Sequence, residues 1–584
     1  MGESIYQLFE ETAHKYTNKP AIKYFCNKKE KWLTKNWQEL QNDVSNLANN
    51  FIDIGIKKQT CVAILSLTRP EWVIADLACM KIGAIVVPIY HSSLEDQISY
   101  IINDANIKFI ILENEEQLNK IINIQKNINL DKIIIIDNIK NNIENNMIYF
   151  NDLLKTNNNK FNEEYPKKHD IASIVYTSGT TGEPKGAMLS HDNFLYEAEV
   201  IDKVGIISNK DVQLLILPLA HIFARVLEMS WIRTGHLLAF AQSIEKAVEN
   251  MEVIKPTFMA AVPRIFEKVK SKVMETSLQQ GNIKKAIAQF IFNNAGNFFA
   301  EKSFLDSLGL VFSKKIVFDK IGQKLKEKFG GKLKFFISGG AALSKDVAIF
   351  FNLSDIIICE GYGLTETTAA TCLNLPWSFK LGTVGRPLPG TEIKLTNEGE
   401  ICIRGRGVFL GFWQKKDETQ EILSKDGWFK TGDLGIIDEE GFLKIIDRKK
   451  DLIITSQGKN IAPQRVENLI KFNSSIIAQV VVIGDSRPYL IALIALDFIQ
   501  ANNFLSANNK ILSHKDVYKD ILIQQEVKKA IDIANSSLAS FEQIKKFHIL
   551  SQEFTVGQEL TPTLKVKRKF CNEKYKKDIN KLYS

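Results

Sequence analysis

The chain has no long apolar run. Stretches of about 18 or more consecutive apolar residues are absent, so no membrane-spanning helix is expected. The N-terminal "MGESIYQLFEETAHKY" carries acids early and lacks the apolar block of an export signal. Tyr6 stands where a myristoylation signal would need Ser or Thr. Cysteine is sparse: seven residues, scattered, none in a CxxC pair. That excludes a disulfide-stapled fold and reads as reduced thiols in a cytoplasmic protein. The eight histidines show no zinc-ligand spacing.

What is present is ordinary for a globular protein, with 45% apolar and 24% charged residues. A chain of 584 residues is too long for one core, so two or more domains are expected. The net charge of +8 is uneven. Between Arg264 and Lys334 there are 15 Lys or Arg against 6 Asp or Glu, and between Thr561 and Ser584 there are 8 against 2. Such basic regions suit anionic partners (nucleotides, CoA or a membrane surface), or reflect an AT-rich coding bias that inflates Lys, Asn and Ile. No nucleic-acid reading motif accompanies them, so nucleic acid is not an expected partner.

The first third alternates short β-branched runs with helical ones. "CVAILS" (61–66), "GAIVVPIY" (83–90), "KFIIL" (108–112) and "KIIIID" (132–137) read as strands buried on both faces. "PEWVIADLACMKIG" and "LEDQISYIIND" read as helices between them. The pattern predicts a parallel sheet covered by helices. The Asn-rich stretch 138–162 reads as surface loop. Residues 264–334 read as a basic, Phe-rich helical insertion, either core helices with snorkelling lysines or a face lying on an anionic membrane. From Thr391 the texture turns to short strands and Gly turns, and a domain boundary is expected near Arg448–Lys450.

One stretch concentrates hydroxyls and glycines around a lysine: "YTSGTTGEPKGAMLSHDNF", after the strand-like "IASIV". Successive backbone N–H groups in such a turn can cradle an anion, and Lys185 adds a compact positive charge. It is not a G-x4-G-K-[ST] loop, because Gly182 precedes Lys185 by three residues and Pro184 by one. A flexible surface turn is the plain alternative.

The wording of that stretch resembles the phosphate loop of the adenylate-forming superfamily. Four further motifs stand in that family's order: "GYGLTE" (361–366), "WFKTGD" (428–433), "DRKKDLIITSQGKNIAPQRVE" (447–467) and "LTPTLKVKRK" (560–569). Within the superfamily, "LPLAHIFARV", "AVPRIFEKV" and "SGGAALS" are most similar to bacterial long-chain fatty-acid–CoA ligases. The resemblance implies an α/β fold. A large N-terminal domain (1–447) would hold parallel-rich sheets covered by helices and a β-barrel-like subdomain. A hinge (448–450) would join it to a small, mobile α+β domain (451–584).

The resemblance also implies a two-step reaction. A fatty acid attacks ATP to give acyl-AMP and pyrophosphate, and the acyl group then passes to CoA. Thr177, Ser178, Gly179, Thr180, Thr181, Gly182 and Lys185 would hold the departing phosphates. Thr177 and Glu366 would bind Mg²⁺. Glu360, Gly361, Tyr362, Gly363 and Thr365 would line the adenine, with Gly339, Gly340 and Ala341 making room beside it. Asp433 and Arg448 would hold the ribose. Lys565 would bridge the attacking carboxylate and the α-phosphate, with His221 near that carboxylate. Lys450 would be the hinge, and the 451–460 loop, with Lys459, would meet CoA. A carrier-protein or acyl-AMP ligase, and a non-catalytic nucleotide-binding relative, are alternatives. The location implied is cytoplasmic, with peripheral attachment to the inner face of the membrane open.

Overall fold

The computed structural model describes residues 2–139, 146–156, 164–177, 183–278, 308–457, 459–510, 516–561 and 565–584. A seven-stranded sheet runs in the order Met147–Tyr149, Lys132–Ile135, Phe109–Leu112, Cys61–Leu65, Ile85–Ile89, Ile171–Thr177, Lys185–Ser190. Every pairing is parallel except the last. The "CVAIL", "IVVPI" and "FIIL" strands are buried at every position, as two covered faces demand. The helix Pro70–Ile82 begins with proline, whose missing N–H costs nothing in the first turn, and stops at Gly83 with φ +71°.

A nine-stranded sheet lies beside it, in the order Arg386–Pro387, Cys372–Leu373, Ile358–Tyr362, Phe335–Ser338, Phe258–Ala261, Val212–Leu215, Leu237–Phe240, Pro20–Cys26, Lys31–Asn36. Its centre is parallel and its edges are antiparallel. One large apolar core joins both sheets and their helices. The strands Glu392–Leu395, Glu400–Arg404, Phe429–Ile437 and Leu443–Arg448 form a separate antiparallel sheet, the half-barrel-like part of the fold.

The C-terminal region has its own cores. A three-stranded sheet (Ile477–Ile483, Leu490–Leu496, Ile544–Ile549) buries one face against helices that include Pro463–Phe472 and Ile521–Ser536. Its other face meets Cys571 and Ile579 of the last two helices.

One expectation changes. The Asn-rich stretch is not loop throughout: Met147–Tyr149 adds a strand and Phe150–Leu153 a short helix. Met147, Phe150 and Leu153 are buried, and Asn50 caps this corner through hydrogen bonds to Leu153 and Lys155 carbonyls. In the basic insertion, helices Pro263–Leu278 and Leu308–Lys328 turn Phe266 and Phe318 to the core, while residues 279–307 lie outside the described residues. Among the described residues no helix is long and apolar enough to cross a membrane.

Candidate active site

The C-terminal ends of parallel strands are where this class of fold leaves room for a ligand, because the chain turns back into helices there. Here Phe335–Ser338 and Ile358–Tyr362 are neighbouring parallel strands that lead into the "GGAA" and "GYGLTE" segments, while Ile171–Thr177 of the other sheet ends at Thr177. Glu360 pairs with Ser338 across the two strands. Gly340 has φ +81°, a left-handed turn that glycine adopts without strain. Gly363 is required for a different reason: an added Cβ would lie 1.1 Å from the Ala369 carbonyl oxygen. The tight return from Gly363 to Ala369 also puts Thr368 and Ala369 at positive φ, a strain that the surrounding hydrogen bonds retain. Glu366 sits within this turn, its carbonyl held by the Phe409 amide.

The half-barrel sheet supplies the next group. Asp433 and Arg448 are directly opposed in neighbouring strands. The Arg448 guanidinium lies 3.3 Å from the Asp433 carboxylate, and the Tyr362 hydroxyl donates to the same carboxylate at 2.7 Å. Burial beside that carboxylate pushes the Tyr362 phenol well up, so it remains a neutral donor. Glu366 is raised by burial, with Arg448 and Lys565 opposing the shift.

Lys565 comes from the other domain. Its amide donates to Thr561 Oγ1 at 3.0 Å, and Thr561 returns a bond to the Lys565 carbonyl at 2.8 Å. The loop is anchored by Glu559, buried and bonded to Tyr575 at 2.7 Å and to Lys574. Lys567 donates to the Gly557 carbonyl at 2.8 Å, and Arg568 makes two 2.6 Å bonds to Glu467. Those neighbours are occupied within their own domain, whereas the Lys565 ammonium faces Arg448, Asp433 and Glu366. Its surface is open to the cleft, yet loss of bulk water and the Arg448 charge pull its pKa down.

His221 caps the helix Ile222–Thr234, its Nδ1 accepting the Phe223 amide at 3.1 Å. That leaves Nε2 as the protonated nitrogen. Burial, then the nearby Lys565 charge, lowers the His221 pKa to about 4, so the ring is neutral near pH 7. Tyr90, at the end of the Ile85–Ile89 strand, packs 6.5 Å from this ring, and sequence reasoning passed over it.

The cleft thus gathers His221, Tyr362, Glu366, Asp433, Arg448 and Lys565. It does not gather every candidate. Ser178, Gly179, Thr180, Thr181 and Gly182 lie outside the described residues. Thr177 and Lys185 face each other across an antiparallel hairpin, and the Lys185 ammonium is paired with Glu418, a residue no motif singled out. Lys450 is exposed and faces Glu418 too. Lys459 points into its own domain, 5.7 Å over the Phe541 ring. The two domains also touch away from the cleft, where buried Lys270 stands 4.1 Å over the Phe472 ring.

A family profile described as "AMP-binding enzyme" matches residues 9–413, and "AMP-binding enzyme C-terminal domain" matches 450–584. The long-chain-fatty-acid–CoA ligase FadD15 of Mycobacterium bovis is 33% identical over 95% of this chain and 93% of its own. Long-chain-fatty-acid–CoA ligase 5 of Rattus norvegicus is 31% identical over 100% of this chain and 89% of its own. Among solved structures, the adenylation domain of a Mycobacterium chelonae carboxylate reductase overlays with a TM-score of 0.79, at 20% identity, over 100% of this chain and 91% of that one. The anthranilate CoA ligase AuaEII, in complex with anthranoyl-AMP, overlays with 0.75, at 20% identity, over 99% and 98%. At that identity the overlays speak for the fold alone. The profile matches and the full-length relatives go further: this chain belongs to the AMP-binding enzyme family.

Proposed function

We propose that the protein is an AMP-forming long-chain fatty-acid–CoA ligase. The observation that carries the proposal is the reach of Lys565, from the C-terminal domain, into a cleft built by Glu366, Asp433 and Arg448 of the large domain. The relatives named as long-chain-fatty-acid–CoA ligases over nearly the whole chain support the substrate class.

In the first half-reaction a carboxylate oxygen attacks the α-phosphorus of ATP and the bond to pyrophosphate breaks. An anion approaches an anion, so the protein's part is positioning and charge neutralisation. The Lys565 ammonium would bridge the two anions, and each would offset its loss of water. His221, neutral, would donate through Nε2 to the incoming carboxylate. Tyr362 would flank the adenine, with Glu360, Gly361, Gly363 and Thr365 around it and Gly339, Gly340 and Ala341 giving space. Asp433 would accept from the ribose hydroxyls beside Arg448. Thr177, the 178–182 loop and Lys185 would hold the β- and γ-phosphates.

Among the described residues no three His, Cys, Asp or Glu side chains form a metal cluster. A single desolvated carboxylate, Glu366, fits Mg²⁺, which takes one or two protein carboxylates and completes its shell with phosphate oxygens and water. Bound by Glu366 and the Thr177 hydroxyl, it would neutralise phosphate charge.

In the second half-reaction the CoA sulfur attacks the acyl carbon and AMP leaves. Rotation about 448–450 would withdraw Lys565 and bring the 451–460 loop, with Lys459, to the acceptor. Peripheral membrane contact, where fatty acids partition, fits the same substrate.

Pyrophosphate release from Mg-ATP and palmitate, with and without CoA, tests the proposal. Release that requires palmitate and is sustained only with CoA is expected. Release that stops after about one turnover, CoA or not, would point to a carrier-protein acceptor. No release with any fatty acid would overturn the proposal.

A further inference from the structure

The Lys185 side chain, assigned above to the departing phosphates, is already paired. Its ammonium contacts the Glu418 carboxylate and stands 5.2 Å over the Phe412 ring. Glu418 lies in the short helix Lys416–Ile422, and its position is set by the fold. The strand Lys185–Ser190 takes main-chain bonds with the 410–413 segment: Trp413 N to Gly186 O at 2.7 Å, Leu410 N to Met188 O and Met188 N to Gly411 O at 3.0 Å each. Thr419, next to Glu418, receives the Phe412 amide at 2.9 Å and donates to the Lys415 carbonyl at 2.7 Å. The carboxylate is therefore presented to the lysine by two tied segments. Lys415 lies 4.0 Å from its other oxygen, and Lys450 faces the same group.

We propose that Glu418 is a positioning residue that competes with phosphate for Lys185. It holds the lysine while the nucleotide site is empty and takes it back as pyrophosphate leaves. The proposal rests on the ligase reading of the site. A triphosphate brings more negative charge than one carboxylate, so ATP wins Lys185 and leaves Glu418 to Lys415 and Lys450. Once the α–β bond has broken, pyrophosphate is held by fewer contacts, and Glu418 again competes for Lys185 while its charge repels the product. A ligand that must displace an internal partner binds more weakly by the fraction of protein in the competent state. For an ion pair as exposed as this one the effect is about two- to five-fold.

The test is calorimetric titration of the full-length chain with Mg-pyrophosphate and with Mg-ATP, paired with steady-state kinetics. Glu418→Gln should bind pyrophosphate about two- to five-fold more tightly, lower KM for ATP by a similar factor, and be inhibited by pyrophosphate at lower concentration. Glu418→Asp, which keeps the charge on a shorter arm, should move the same way by less. In a Lys185→Met background, Glu418→Gln should leave pyrophosphate affinity unchanged. Weaker or unchanged binding in Glu418→Gln would overturn the proposal, because a merely structural glutamate predicts that result. So would an effect that persists without Lys185. If the wild-type chain bound neither ATP nor pyrophosphate, the ligase reading itself would fail and Glu418 would fall with it.

Discussion

Replacing Lys565 by Ala should separate the two half-reactions. The Lys565 ammonium has lost bulk water and faces Arg448 as well as the carboxylates of Asp433 and Glu366. On the proposed reaction its charge is fully met only when an acyl carboxylate and an α-phosphate arrive together. Interactions of that kind strengthen toward the transition state, and losing one charge partner typically costs about 3–4 kcal/mol, or roughly 100- to 1000-fold in rate. Palmitate-dependent ATP–pyrophosphate exchange should fall by that factor. Thioester formation from supplied acyl-AMP and CoA should change by less than about threefold, since Lys565 then has no bond to make. Stability should barely move, because the side chain is open to the cleft and its removal leaves no cavity. Lys567 is the internal control. It is bonded to Gly557 in its own domain, and its replacement by Ala should spare the exchange reaction. Equal loss in both half-reactions for Lys565→Ala, or a larger exchange defect for Lys567→Ala, would refute the reasoning.

Gly363→Ala should cost adenylation at least about 100-fold, since the new methyl must displace the Ala369 carbonyl and with it the turn that carries Glu366; unchanged exchange activity would count against that role for the turn. Arg568→Met strands Glu467, a buried carboxylate that among the described residues then keeps only the Val482 amide, and should destabilise the C-terminal domain by about 3–5 kcal/mol in urea. The double variant with Glu467→Gln should recover part of that loss. Glu360 is buried, and desolvation raises its pKa to about 8 against the Leu343 amide that favours the charged form. The folded protein thus holds this proton more tightly than the unfolded chain, so stability should fall as pH rises from about 5 to 8. Glu360→Gln should remove that slope, matching wild type near pH 5 and exceeding it by about 2–4 kcal/mol at pH 8. Parallel urea curves at both pH values would show Glu360 charged throughout and refute the shift.

The parts of the fold that the sequence announced share one physical cause. Strands such as Ile85–Ile89 are covered on both faces, so an unbroken apolar run is the only composition that suits them. The helix Pro70–Ile82 carries its own start and stop in Pro70 and Gly83. Met147–Tyr149 and Phe150–Leu153 gave no such notice, being three and four residues long and surrounded by Asn. No period can be read from so few positions, and three buried apolar side chains among polar neighbours look like chance until the sheet edge beside them is known.

The site divides along a similar line. Glu366, Asp433, Arg448 and Lys565 each stand in a stretch whose residue types are constrained by a turn or a strand pairing, and the motifs could be found in order along the chain. Glu418 stands in "KKDETQE", where four charged residues surround it and nothing marks one acid above another. What selects it is the edge of the seven-stranded sheet. The strand Lys185–Ser190 leaves one side open, the 410–413 segment bonds to it, and the helix that follows delivers the carboxylate to Lys185. Such a pairing depends on two remote segments sharing an edge, and edge sharing leaves almost no trace in composition. The same argument covers Lys270 and Phe472, a cation and a ring that meet only because two separately folded cores are seated in this relation. A motif can therefore name the groups that touch a substrate, while the groups that compete for them, or hold one domain against the other, emerge only once the sheets are laid side by side.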